Sequence, residues 1–484
     1  MAGQPNLLFL MPDQLRADFL SCYGAKFIDT PNIDRLSKEG VRYENAYTPS
    51  PICVPARALL LTGRNAIKNG VLTNNQYLRP DLGDCGIHTW PEILGEAGYE
   101  TSAIGKMHFY PWDISMGFQD RIVAEDKRWL LIDDDYQRRL KSQGYRKLHG
   151  DEHEGYQENR GAIVNKIPWE LSWDHFVGSE AARHIRDRDS QKPFAMMVGF
   201  PGPHCPYDPS PEYLEQFDPE DMPDPVPLVE ENVPHLRRQN VNGNKEPWNG
   251  IDYTEFTAEH KKKIRAHYAA LVKQIDDEIG DILKALEESG ELENTVIIFA
   301  SDHGDHLGDH GLIGKGDFYE SSIKVPLIVR PRGGQEGSVH TRPVSIGDIP
   351  ATLLALGACD VPSYMDAVPL PDLGIPTKER EYVFGLLASG CMAFDGEWKL
   401  VKYASGDVLL FNLREDPNEQ ENCVADEECQ SIYRRLDASL SAEMLKSINE
   451  AHSDKVVAHT EGGSHYNNEE FGKPGWERRY PETV

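Results

Sequence analysis

The segment TVIIFASDHGDH, residues 295–306, decides the fold. Its first half is an unbroken apolar run rich in β-branched residues, the pattern of a strand buried on both faces. Its second half switches to Asp302, His303, Asp305 and His306. Three other segments share the design. NLLFLMPDQ (6–14) ends in Asp13 and Gln14, YETSAIGKMH (99–108) in Lys106 and His108, and PFAMMVGFPGPH (193–204) in His204. Helices are predicted between them. TWPEILGEAG (89–98) has Thr89 as N-cap, a proline just inside and Gly98 past the end. Residues 258–290 carry apolar positions at helical spacing. Strands alternating with helices define an α/β fold, a mostly parallel central sheet flanked by helices. Such sheets bind ligands beyond the carboxyl ends of their strands. Four separate segments therefore aim polar side chains at one sheet edge.

The rest of the chain bounds the function. Its 484 residues carry 50 Lys and Arg against 79 Asp and Glu, a net charge of −29, which excludes a basic footprint for nucleic acid. No apolar run reaches the ~20 residues needed to span a membrane. The first residues, MAGQPNLLFLMPDQLRAD, lack the basic start and small-residue cleavage site of an export signal, so a cytoplasmic protein is expected. The eight cysteines show no CxxC and no paired spacing, which suits a reducing compartment. Residues 119–175 are charged and weakly periodic and read as an insertion near the site. DPEDMPDPVPLVEENVP (218–234) reads as a surface loop. After about residue 375, EYVFGLL, MAFDGEWKLVKY and DVLLFNLREDPNEQ predict a small antiparallel sheet. The helix ECQSIYRRLDASLSAEMLKSINEAH packs on it. The chain thus divides into a catalytic domain, 1–374, and a C-terminal α+β subdomain, 375–484. The tail from 453 reads as an arm over another subunit, and a homo-oligomer, dimer or tetramer, is expected.

PSPICVPARALLLTGR (49–64) raises a separate question. With Pro55 in the first turn of an apolar helix, Cys53 sits near free backbone N–H groups and the positive end of the dipole. Arg57, four residues on, shares its face. The residues alone admit a half-buried thiol or an activated thiolate nucleophile.

C-V-P-A-R followed by A-L-L-L-T-G resembles the signature C-x-P-x-R…T-G of the sulfatases. GYETSAIGKMH (98–108) is similar to their second signature. LLFLMPDQ, GPHCPY, SDHGDHLGDHGLIGKGDFYE and LFNLREDPNEQEN resemble further sulfatase blocks, in the same order along nearly the whole chain. Val54 departs from the smaller or hydroxyl residue usual there. The resemblance implies the alkaline-phosphatase-like fold and a sulfuric ester hydrolase whose Cys53 is oxidised to formylglycine by a dedicated generating enzyme. The hydrated aldehyde would attack sulfur, and its second hydroxyl would later expel the sulfate.

The resemblance also implies roles for single residues. Asp13, Gln14, Asp302 and His303, with residue 53, would bind one divalent metal. Arg57 would hold the diol and the anion. Lys106 and Lys315 would bind sulfate oxygens, His108 would assist the second hydroxyl, and His204 would protonate or stabilise the leaving oxygen. Asn74 would face the substrate, with Asn75 an equal candidate. Most sulfatases pair Asp-Asp with Asp-Asn at the metal. Asp-Gln and Asp-His here match phosphonate monoester hydrolases and some bacterial sulfatases. The imidazole admits manganese beside calcium. Two substrate readings follow: a small-molecule sulfate monoester, or a phosphonate monoester or phosphodiester on the same site. His108 favours the first, Gln14 and His303 the second. His306 and His310, at i and i+4, match the spacing of a zinc pair, but their glycine-rich setting speaks against a helix.

Overall fold

The computed structural model describes residues 4–188, 191–229, 232 and 234–451. The tail from 453, read as an inter-subunit arm, lies outside them. The central sheet has eight strands. Their spatial order is Asp120–Val123, Glu100–Gly105, Phe194–Pro203, Asn6–Asp13, Thr295–Ala300, Leu327–Arg330, Val41–Tyr43 and Ser338–His340. The first five run parallel, and Leu327–Arg330 is antiparallel to both neighbours. All four strands read from the sequence lie side by side in the parallel block, so their carboxyl ends share one edge.

Side chains of a strand alternate between faces. In Asn6–Asp13, Leu8 and Leu10 enter one core with the helices Trp173–Asp187 and Ala258–Glu288. Leu7, Phe9 and Met11 enter the other with the helices Cys53–Thr62, Trp90–Glu96 and Ile349–Leu356. Burial on both faces explains why the strand shows no polar alternation. The helix Trp90–Glu96 starts at Thr89, with the reciprocal capping box to Glu92.

The second sheet is antiparallel: Val383–Leu387, Gly390–Phe394, Trp398–Tyr403 and Val408–Asn412. The helix Gln430–Glu450 covers one face through Leu436 and Leu440 against Ala393, Leu400 and Leu410. The other face, Met392, Val401, Leu409 and Phe411, packs on Leu312, Phe318, Tyr319 and Ile323. That contact holds the loop between Asp302 and Ile323 against the main body.

The stretch 119–175 is not a plain insertion. Its start, Asp120–Val123, is the edge strand of the central sheet, paired with Glu100–Gly105. Four residues flanked by charge carry too little periodicity to be read as a strand. No helix among the described residues is long and apolar enough to cross a membrane.

Candidate active site

Asp13 and Gln14 leave the first strand at the sheet edge. Gln14 has φ 72°, the left-handed region that non-glycine residues rarely adopt. The turn is held from several sides. The Gln14 N–H donates to Asp302 Oδ1 at 3.0 Å, and the Tyr268 hydroxyl donates to the Gln14 carbonyl at 2.6 Å. His108, φ 60°, follows the strand Glu100–Gly105, two places along the sheet, and turns in the same way. Its N–H and that of Met107 donate to Glu125 Oε1 at 2.7 and 3.1 Å. Unusual backbone at two strand ends, each locked by buried partners, is the pattern of a functional turn.

Cys53 opens the helix Cys53–Thr62, as its sequence setting indicated. Asn74 does not simply face the cavity: its Oδ1 accepts from the Val54 N–H at 3.0 Å and satisfies an open donor of that helix. The Cys53 Sγ lies 3.1 Å from His303 Nε2 and 3.8 Å from Asp13 Oδ1. Donor atoms of Asp13, Cys53, Asp302 and His303 all fall within 4.8 Å of one another, and all four residues are buried.

Cations surround this cluster. Arg57 spans it, with Nη2 2.9 Å from Asp13 Oδ2, Nε 3.1 Å from Asp302 Oδ2 and Nη1 donating to the Lys106 carbonyl at 2.6 Å. Lys106 Nζ sits 3.0 Å from Asp13 Oδ2 and 3.5 Å from Asp126 Oδ2. Arg128 in turn pairs with Asp126 at 2.5 Å. Burial and the Cys53 charge oppose ionisation of Asp13, yet Lys106 and Arg57 hold it below the ordinary carboxylate range. Burial and the neighbouring Asp13 push Asp302 up. Burial alone would raise the Cys53 thiol, but Lys315, His303 and Lys106 hold it well below its usual value. Two buried carboxylates side by side, one of them pushed up by the other, form a site whose charge balance a cation improves.

Lys315 comes from the loop after His303. Its ammonium contacts the Gln14 side-chain oxygen and lies 2.7 Å from His204 Nε2. His204 Nδ1 is 2.7 Å from the Cys205 carbonyl, which makes Nδ1 the protonated nitrogen and Nε2 the acceptor. Burial, with Lys315 alongside, lowers its pKa to about 3. The buried Nδ1 of His108 has no partner. Above the cluster opens a cavity of about 670 Å³. Cys53, Gln14, His108, His204 and Lys315 reach its wall, with Asn74 and Asn75 on the rim side. Arg57 and Lys106 do not line it; they grip the carboxylates from within the protein.

Several participants were not singled out in the sequence. Asp126 and Arg128 follow the unread edge strand, and Trp129 stacks edge-on against His108 at 4.7 Å between ring centres. Trp248, also on the cavity wall, carries Arg128 over its face at 5.0 Å. Asp305, which the sequence did set beside Asp302 and His303, accepts from the Gln14 amide, from Tyr207 at 2.7 Å and from the N–H groups of Leu307 and Gly314. His306 and His310 form no pair: His306 bridges Ser321 and Asp317, each at 2.8 Å, while His310 stacks on Tyr319.

The fold has solved counterparts. The crystal structure of a phosphonate monoester hydrolase of Agrobacterium radiobacter superposes with a TM-score of 0.76 at 24% identity, covering 93% of this chain and 96% of that one. The likeness is one of fold: a mostly parallel central sheet flanked by helices, with a small antiparallel sheet at the C-terminal end. The family description Sulfatase matches residues 5–358. The chain is 30% identical over 469 residues to an arylsulfatase of Clostridium perfringens, covering 88% of this chain and 91% of that one. It is 30% identical over 449 residues to a choline-sulfatase of Rhizobium meliloti, covering 87% and 82%. The chain belongs to the sulfatase family and is a sulfuric ester hydrolase by class.

Proposed function

We propose that the protein hydrolyses a small sulfate monoester in the cavity over residue 53, with Cys53 converted to formylglycine. One observation carries this reading: donor atoms from three distant stretches, at 13, 53 and 302–303, meet within 4.8 Å in a buried site. Two carboxylates and an imidazole suit a hard or borderline divalent cation, calcium first and manganese second. Asp13, Asp302, His303 and the Gln14 amide oxygen would hold it. When bound, such an ion supplies Lewis-acid charge neutralisation at the nucleophile and the ester. Formylglycine, as its hydrate, supplies the oxygen nucleophile for which the Cys53 sulfur stands in.

The chain's own groups do the rest. Arg57 and Lys106 fix Asp13 and Asp302 and offset their charge, and Lys315 on the cavity wall faces the anionic ester. His108, on the cavity wall and hydrogen-bonded to the side chain of residue 53, takes the proton of the second hydroxyl. Lys315 donates to the leaving oxygen as the S–O bond breaks. His204, a neutral acceptor, orients that ammonium rather than giving a proton itself.

The Asp-Gln and Asp-His pairs favour a second reading, hydrolysis of a phosphonate monoester or phosphodiester, which shares the single charge and tetrahedral centre. Parallel kcat/KM values on an aryl sulfate and on phenyl phosphonate monoesters test the choice. Faster sulfate turnover is expected, and a clear phosphonate preference reverses the assignment. A cytoplasmic protein fits the absence of disulfides among the eight cysteines. Maturation by a formylglycine-generating enzyme, a homo-oligomeric state and the division at residue 374 belong to the same reading.

A further inference from the structure

The loop between the last strand of the small sheet and the helix Gln430–Glu450 reads Cys423-Val-Ala-Asp426-Glu-Glu-Cys429. Two consecutive short turns stack these residues three apart. The Asp426 N–H donates to the Cys423 carbonyl and the Cys429 N–H to the Asp426 carbonyl, both at 3.1 Å. Residues three apart in such turns come to lie over one another. The two thiols and the carboxylate accordingly place one donor atom each within 4.8 Å of the others. The loop is held in place beforehand. Asn422 Oδ1 accepts from Leu410 N at 2.9 Å and Val424 N at 3.2 Å, and Gln430 Nε2 donates to the Val424 carbonyl at 2.8 Å. Asp426 is exposed and both cysteines are half-buried, so water has access to the site.

We propose that Cys423, Asp426 and Cys429 form a second metal site, distinct from the active centre, that takes a thiophilic divalent cation of the zinc type. Two thiolates and a carboxylate are a zinc donor set, with an open position for water. Ligation by thiolates releases the thiol protons, so uptake rises with pH. The bound ion joins the small sheet to the start of the helix that covers it. Its role is to tie these two elements together, and it does not depend on the chemistry assigned to Cys53.

The test is a zinc titration of the reduced full-length protein beside C423S/C429S, with cadmium as a spectroscopic probe. Any ion at the active centre is common to both proteins and cancels in the difference. The wild type is expected to bind one equivalent more than the double variant and to show a thiolate–cadmium charge-transfer band that the variant lacks. Cys423→Ala alone, read in the same way, must also lose the equivalent; this covers a double variant that folds poorly. Equal stoichiometry in wild type and variants overturns the proposal. A Cys423–Cys429 disulfide with no zinc uptake after reduction overturns it equally.

Discussion

Replacing Lys315 with alanine separates two ways of protonating the leaving group. His204 is held near pKa 3 by burial and by the Lys315 ammonium 2.7 Å away. At pH 7 an imidazole of that pKa is protonated about once in 10⁴ molecules, and using its charged form costs about 5 kcal/mol. In the proposed mechanism Lys315 is therefore the proton donor, with His204 Nε2 accepting from its Nζ at 2.7 Å. General acid help of this kind is worth roughly 10²–10⁴-fold, and its value depends on the leaving group. Acidic nitrophenols leave unaided, whereas a phenol with pKa about 10 does not. Lys315→Ala is therefore expected to lower kcat/KM about tenfold or less on nitrophenyl sulfates but by at least ~10² on the sulfate of an unactivated phenol. The assay is kcat/KM for wild type and variant across a series of aryl sulfates, with thermal unfolding as a check on folding. A uniform loss across the series, leaving the slope against leaving-group pKa unchanged, refutes the assignment and makes Lys315 a binding charge only.

Arg57→Lys keeps the charge but cannot span Asp13, Asp302 and the Lys106 carbonyl together. At ~1.5–3 kcal/mol per charge-assisted bond, it is expected to lower both the melting temperature and kcat/KM, the latter at least ~10²-fold; wild-type values contradict this. Gly199→Ala places a Cβ 2.3 Å from the Lys106 carbonyl, across the strand pair that delivers Lys106. Strain of ~1–3 kcal/mol and a loss of activity are expected by denaturant unfolding and kinetics, and an unchanged unfolding midpoint sinks the claim. Buried His267, whose Nδ1 lies 3.1 Å from the carbonyls of Ile163 and Tyr207, has its pKa lowered by burial to about 4. The unfolded chain then takes up a proton, near pKa 6.5, that the folded one refuses. Its stabilisation is complete above about pH 6.5 and fades toward pH 4, amounting to about 3 kcal/mol. Urea midpoints at pH 7 and 4.5 should differ less for His267→Asn than for wild type, and equal differences would exclude the effect.

What the sequence made legible follows from where its information is local. TVIIFA and NLLFLM read as doubly buried strands because burial on both faces removes every polar residue, and the abrupt polar ends then marked the site edge. Cys53 and Arg57 share a helix face, so four residues of sequence sufficed to pair them. Gln14 and His108 were named, but their left-handed backbone is visible only once Asp302, Tyr268 and Glu125 close around them. Asp120–Val123 escaped because an edge strand of four residues is defined by its partner, Glu100–Gly105, not by its own pattern. With it went Asp126 and Arg128, the pair behind Lys106. The placing of Lys106 on Asp13 instead of on the cavity wall is likewise a tertiary fact: the ammonium answers a carboxylate delivered from 93 residues earlier in the chain.

Mass analysis of the tryptic peptide 43–57, paired with the activity of the same preparation, reaches the centre of the account directly. Protein matured alongside a formylglycine-generating enzyme should carry an aldehyde in place of the Cys53 thiol, in proportion to its sulfate ester hydrolysis. Full hydrolysis by protein in which every copy of Cys53 is still a thiol would contradict it.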